Sequence, residues 1–125
     1  MRKIATDQAP GALGPYSQAV RLEGWLYTSG QVGIDPKTGA LVDGGFEAQA
    51  TRVLDNLAAV LSAGGSSFAQ VVKTTIYLIN LADFAEVNRL YGEAMGEHRP
   101  ARSTVQVAAL PLGAAVEIDM VARCG

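Results

Sequence analysis

The chain has 125 residues, 49% of them apolar and 18% charged, with a net charge of −2 at pH 7. That length suits one domain, residues 1–125, with a core of its own. The charge offers no cation excess to neutralise phosphates, so no nucleic-acid partner is expected. No run of 18 apolar residues exists to span a membrane.

The single Cys124 cannot form an internal disulfide, and with the single His98 it supplies no soft-ligand cluster, so no metal site is expected. The start, Met1 to Asp7, is charged with no apolar stretch behind it, which points away from an export signal and toward the cytoplasm.

In chain order, the turn-rich Ala9–Pro15 reads as a loop. Tyr16 to Arg21 and Trp25 to Ser29 read as two strands of a hairpin, turning at Leu22-Glu23-Gly24. A second turn, Asp35 to Gly39, leads to a short edge strand at Ala40–Val42. The clearest helix begins near Asp43 or Gly45. Phe46, Ala50, Val53, Leu54, Leu57, Ala58 and Leu61 recur on one helical face, with Glu47, Arg52, Asp55 and Asn56 opposite. Gly64-Gly65 ends it.

A strand rich in β-branched residues follows from Gln70 to Asn80. Asp83 then reads as the cap of a second helix, with Glu86 as capping-box partner. Its apolar stripe is Phe84, Val87, Leu90, Tyr91 and Met95, and Pro100 marks its outer limit. Two strands close the chain, Arg102 to Val107 and Ala115 to Arg123.

This order predicts an α+β fold, with two helices on one face of a mixed sheet. The Gln70 strand places Val72, Ile76 and Leu78 on one side and Val71, Tyr77 and Ile79 on the other. Apolar residues on both sides call for cover on both. No third helix is available to provide it, which predicts a second subunit.

A few polar residues stand out. Arg102, Thr104 and Gln106 share one strand face, and Glu117 and Asp119 share one on the last strand. If those strands pair, Arg102 and Glu117 meet. Spacing alone leaves two readings open: a surface ion pair of little energetic worth, or a carboxylate receptor built on the planar guanidinium fork. Tyr16 reads as a cap over the sheet, Ser29 and Gly30 as a strand end, Asn88 as a surface helix position and His98 as a solvent-facing loop residue.

Several segments together resemble the Rid (YjgF-type reactive intermediate deaminase) family. They are Gly14-Pro15-Tyr16-Ser17-Gln18-Ala19, Ser29-Gly30-Gln31, Asn88 with Tyr91, Arg99-Pro100-Ala101-Arg102-Ser103-Thr104-Val105, and Val116-Glu117-Ile118. The likeness runs from about Ala9 to Ala122. It implies a chorismate-mutase-like fold, a homotrimer with a cleft at each subunit interface, and no cofactor. It also implies hydrolytic deamination of 2-imino and 2-enamino acids, such as 2-iminobutanoate and 2-iminopropanoate, to 2-oxo acids and ammonia.

By the same resemblance, Arg102 binds the substrate carboxylate and Glu117 acts on the attacking water. Tyr16, Ser29, Gly30 and Asn88 line the cleft, and Thr104 contributes backbone where the family usually carries a cysteine. A pericyclic enzyme of the chorismate-mutase kind would need more convergent cations than Arg102 alone. The non-enzymatic alternative is a small-ligand-binding or protein-protecting trimer.

Overall fold

In a computed structural model describing residues 1–125, the chain runs through β1 (Arg2–Ile4), β2 (Ala19–Leu22), β3 (Trp25–Thr28) and α1 (Gly45–Ala63). It continues through β4 (Val71–Leu78), α2 (Phe84–Met95), β5 (Ala101–Gln106) and β6 (Val116–Arg123). The six strands form one mixed sheet in the order β1-β2-β3-β6-β4-β5, in which only β4 and β5 are parallel. No helix is long and apolar enough to cross a membrane.

The β2–β3 hairpin turns where the sequence predicts. Glu23 (φ 50°) and Gly24 (φ 82°) both take positive φ, the two-residue turn whose twist matches that of paired strands. β3, α1 and β4 make one crossover unit, and β4, α2 and β5 make another. Both step across the sheet in the same direction, so right-handed connections carry both helices to one face. α1 and α2 press Val53, Leu57, Leu61, Val87, Leu90 and Met95 onto Leu26, Ile76, Val116, Ile118 and Met120 in one continuous core.

Some expectations change. β5 does not pair with β6. Because α2 returns the chain parallel to β4, β5 takes the outer edge of β4 and β6 its inner edge. A bulge between Val71 and Lys73 shifts the register of β4. Val71 therefore joins the core beside Ile76 and Leu78, while Val72 turns outward at 39% exposure.

β2 starts at Ala19, leaving Tyr16 in the preceding loop. Ala40–Val42 contributes only a single bridge, Leu41 with Ile34. The chain's start, read without a strand, supplies edge strand β1. Asp83 makes no side-chain cap, because a short 3₁₀ turn (Leu81–Asp83) precedes α2 and Asn80 caps that turn instead. Glu86 turns to Arg89.

Asn56, read as an outer-face residue, is fully buried. Its amide donates to Val32 O and Ile34 O, and its Oδ1 accepts from Arg52 Nε. This ties α1 to the loop that follows β3. His98 is half-buried rather than solvent-facing, with Nε2 2.6 Å from Val71 O beside the bulge.

Beyond the loop over Glu117, much of the sheet face away from the helices carries no cover within the chain. Tyr27, Val105 and Ile79 are exposed there, at 49%, 42% and 37%.

Candidate functional site

The singled-out residues fall into two groups. Arg102 sits on edge strand β5, side by side with Thr74 of β4, a fully buried residue on the helix side. Its guanidinium therefore lies under α2. Nη2 donates to Asn88 Oδ1 at 2.6 Å, and the guanidinium carbon sits 5.2 Å from the centre of the Tyr91 ring and 5.6 Å from that of Phe84. Both are cation–π distances. The group borders a cavity of about 290 Å³ that Asn88, Tyr91, Arg99 and Pro100 also line. Asn88 is thus half-buried and bonded to the predicted anchor, and not a plain surface residue.

Glu117 lies on the opposite face. Its neighbours Val116 and Ile118 point into the core, so Glu117 projects the other way, level with Tyr77 of β4. Gln31 and Ile118 exchange backbone hydrogen bonds of 2.9 and 3.1 Å, which fastens Gly30 beside the carboxyl. A Cβ on Gly30 would stand 2.7 Å from Glu117 Cδ and 2.8 Å from Oε2. Only glycine leaves that carboxyl its place.

Around Glu117 is a small cavity bordered by Leu13, Tyr16, Gly30, Gln31 and Pro111. Its outer wall is the 9–16 loop, and buried Gln18 holds that loop in shape: its amide donates to Thr6 O, Ala9 O and Pro10 O, and its Oε1 accepts from Thr6 N. The Tyr16 hydroxyl accepts from Leu13 N at 3.1 Å, and Ser29 Oγ donates to Ser17 O at 2.6 Å. Within the chain, Ser29 braces this loop and Tyr16 presents half its surface to solvent.

Burial holds the Glu117 carboxyl above the ordinary carboxylate range, and the charge of Asp119 raises it further. Asp119 in turn accepts from the Tyr77 hydroxyl at 2.9 Å. The phenol is itself pushed up, by burial first and by Asp119 next. The carboxyl is therefore suited to exchange a proton closer to neutrality than a free glutamate does.

Arg102 and Glu117 do not meet. β4 lies between their strands, about 10 Å across by ordinary strand spacing, and the two side chains leave opposite faces. Thr104 follows Arg102 on the helix side of β5, level with Ile76. Its hydroxyl is the one buried side-chain polar atom without a hydrogen-bond partner. Residue-by-residue reading of the sequence missed Phe84 and Tyr91 as neighbours of Arg102, and missed Gln18 as the brace of the loop. Asp119 was readable, since it shares a strand face with Glu117 two residues away.

The chain resembles known proteins in both sequence and fold. Residues 6–124 match the family model described as endoribonuclease L-PSP, the family that includes the YjgF and RidA proteins. The human 2-iminobutanoate/2-iminopropanoate deaminase is 48% identical over 99% of this chain and 90% of its own. Among solved structures, RidA from an Antarctic Psychrobacter superposes with a TM-score of 0.95 at 46% identity, covering 98% of this chain and 99% of that one. TdcF of E. coli with bound serine gives 0.93 at 37% identity over 100% of both chains.

Proposed function

The chain belongs to this Rid family, and from that premise we propose that it hydrolyses 2-imino and 2-enamino acids to 2-oxo acids and ammonia. A sequence 48% identical along nearly the whole length to a 2-iminobutanoate/2-iminopropanoate deaminase supports the activity. TdcF, solved with bound serine, supports a small amino-acid-like ligand. The word endoribonuclease belongs to the description of the family model. A substrate of a few carbons suits the small cavities at Arg102 and Glu117 better than a polyanion does.

The observation that carries the mechanism is the placement of the two charged groups on opposite faces of one sheet. A single substrate reaches both only if a second copy brings its Glu117 face against the Arg102 edge of the first. Edge strand β5 and the uncovered apolar face support such packing. Closed rotational symmetry then repeats the contact around a ring. We infer a homotrimer with a chorismate-mutase-like arrangement and three such clefts, each lined by Asn88 and Thr104 with Arg102, and by Tyr16, Ser29 and Gly30 with Glu117.

In this cleft the Arg102 fork holds the substrate carboxylate. An enamine first takes a proton on carbon, gives one up from nitrogen and becomes the imine. Water then forms a bond to the C=N carbon while its proton passes to the Glu117 carboxylate. Glu117 passes that proton to nitrogen, giving a carbinolamine. The carboxylate then takes the proton of the new hydroxyl and delivers it to the same nitrogen as C=O forms and the C–N bond breaks, so ammonia departs. Holding, orienting and proton transfer are all the reaction asks. It consumes only water and needs no cofactor.

The test is ammonia release from freshly generated 2-iminobutanoate and 2-iminopropanoate, with light scattering on the same sample. Release above the spontaneous rate by a trimer is expected. A trimer without it would instead fit a non-enzymatic ligand-binding or protein-protecting role.

The electrostatics give a pH expectation. The carboxylate form of Glu117 takes the water proton, so kcat/KM falls as pH drops through its raised pKa. That acid limb lies above the ordinary carboxylate range. Asp119→Asn removes the anionic neighbour and should move the limb to lower pH, read from the pH profile after subtracting spontaneous hydrolysis.

Thr104→Val deletes the unpartnered hydroxyl at nearly constant volume. It should keep most activity and raise stability by about 1 kcal/mol or less, because an orphaned polar group costs free energy. Thermal unfolding and imine decay read the two effects separately.

A further inference from the structure

Tyr91 is a core tyrosine whose two ends do different things. Its hydroxyl donates to Thr74 Oγ1 at 2.9 Å inside the protein, and its ring lies 5.2 Å from the Arg102 guanidinium carbon. Thr74 is itself fully buried and is the β4 residue in direct register with Arg102. The strand that carries the arginine is thus referenced, through one buried hydrogen bond, to the ring on which the arginine's head rests.

Asn88, on the same helix one turn earlier, takes Nη2. One guanidinium donor site is thereby occupied, and the group sits over the ring. The other donors of the fork stay available in a fixed plane. A guanidinium on a flexible stem loses rotamer entropy each time it grips a carboxylate, and a group already held loses less. Burial keeps the phenol neutral and able to donate, since its pKa is raised even though Thr74, Arg102 and Arg99 pull it down.

We propose that Tyr91, anchored by Thr74, is a positioning residue that fixes the Arg102 guanidinium in the plane needed to bind a carboxylate. The inference rests on Arg102 being the carboxylate anchor, and the experiment separates the two. Inhibition constants are measured for 2-oxobutanoate and for 2-oxobutanamide, which has the same shape and no charge. The ratio of the two reports the carboxylate contact alone.

In the wild type the carboxylate should bind far better, and Arg102→Ala should bring the ratio near one. Tyr91→Phe keeps the ring and loses the hydrogen bond to Thr74, so it should lower the ratio modestly, by about threefold. Tyr91→Leu removes the ring and should cut the ratio roughly tenfold, as expected for a partly desolvated cation–π contact. KM should rise while kcat changes little. In ¹⁵N spectra, the Arg102 Nε–H signal of an ordered guanidinium should broaden or vanish in Tyr91→Leu and persist in Tyr91→Phe.

Equal weakening of both inhibitors by Tyr91→Leu, or an unchanged ratio, would overturn the positioning role and leave the anchor in place. A wild-type ratio near one would overturn the anchor itself. If Tyr91→Leu does not fold, Thr74→Val decides. It leaves the ring and frees the hydroxyl, and the proposal requires it to lower the ratio below that of the wild type.

Discussion

Arg102→Ala is expected to abolish most imine hydrolysis while leaving a folded, trimeric protein. The guanidinium is the only side-chain cation with both a hydrogen-bonded brace, Asn88, and two aromatic faces, Phe84 and Tyr91. Losing one partner of a bidentate, charge-assisted contact costs about 2 to 5 kcal/mol when the other is left unpaired. At the transition state that is a factor of roughly thirty to several thousand in kcat/KM.

Arg102→Lys should recover only a small part of this loss. An ammonium is a compact point charge, and it cannot offer two parallel donors in a fixed plane. The measurement is iminobutanoate decay for each variant, with calorimetric titration of 2-oxobutanoate. Near-wild-type decay with Arg102→Ala would remove the anchor and leave a binding module as the better reading. No buried carboxylate depends on Arg102 for charge balance in the chain, so the loss of activity should come without a comparable loss of stability.

The α+β order, both helices, the hairpin and all the long strands were readable because periodicity and turn residues act locally. Leu57 and Val87 declare their faces by spacing, and Glu23-Gly24 declares its turn. Of the features that were not readable, three have a clear physical reason. The bulge at Val71 inverts the expected faces at the start of β4, and no residue type marks a bulge unambiguously. The interposition of β4 between β5 and β6 is decided by the crossover through α2, a long-range matter. The burial of Asn56 depends on two carbonyls, at Val32 and Ile34, far away in the chain.

The candidate site divides the same way. Arg102 and Glu117 stood out as charges on strands, and resemblance gave them roles. Their faces follow from register and burial, Arg102 beside buried Thr74 and Glu117 between core Val116 and Ile118, and the strand order that sets β4 between them is what the residues alone could not supply. That separation makes the need for a second subunit sharper than the uncovered apolar face did by itself. Apolar cover can come from any partner, whereas the proposed site would be completed only by a copy bearing the other half.

The consequence is a complementation experiment with a distinctive outcome. Glu117→Gln keeps the shape of the side chain beside Gly30 and loses its proton chemistry, so a trimer of that variant should be inactive while still binding 2-oxobutanoate. A trimer of Arg102→Ala should be inactive because the carboxylate is not held. If each site takes Arg102 from one subunit and Glu117 from the next, co-refolding equal amounts of the two dead variants must generate intact sites. In a randomly mixed ring, one ordered neighbour pair in four joins a subunit with Arg102 intact to one with Glu117 intact. Activity should then return to about a quarter of the wild-type value per subunit. The control is to combine the two separately refolded variants without exchange, which should restore nothing. If both residues served the substrate from a single chain, no mixture of these variants could recover activity at any ratio. A silent co-refolded mixture that light scattering shows to be mixed and trimeric would therefore overturn the shared cleft.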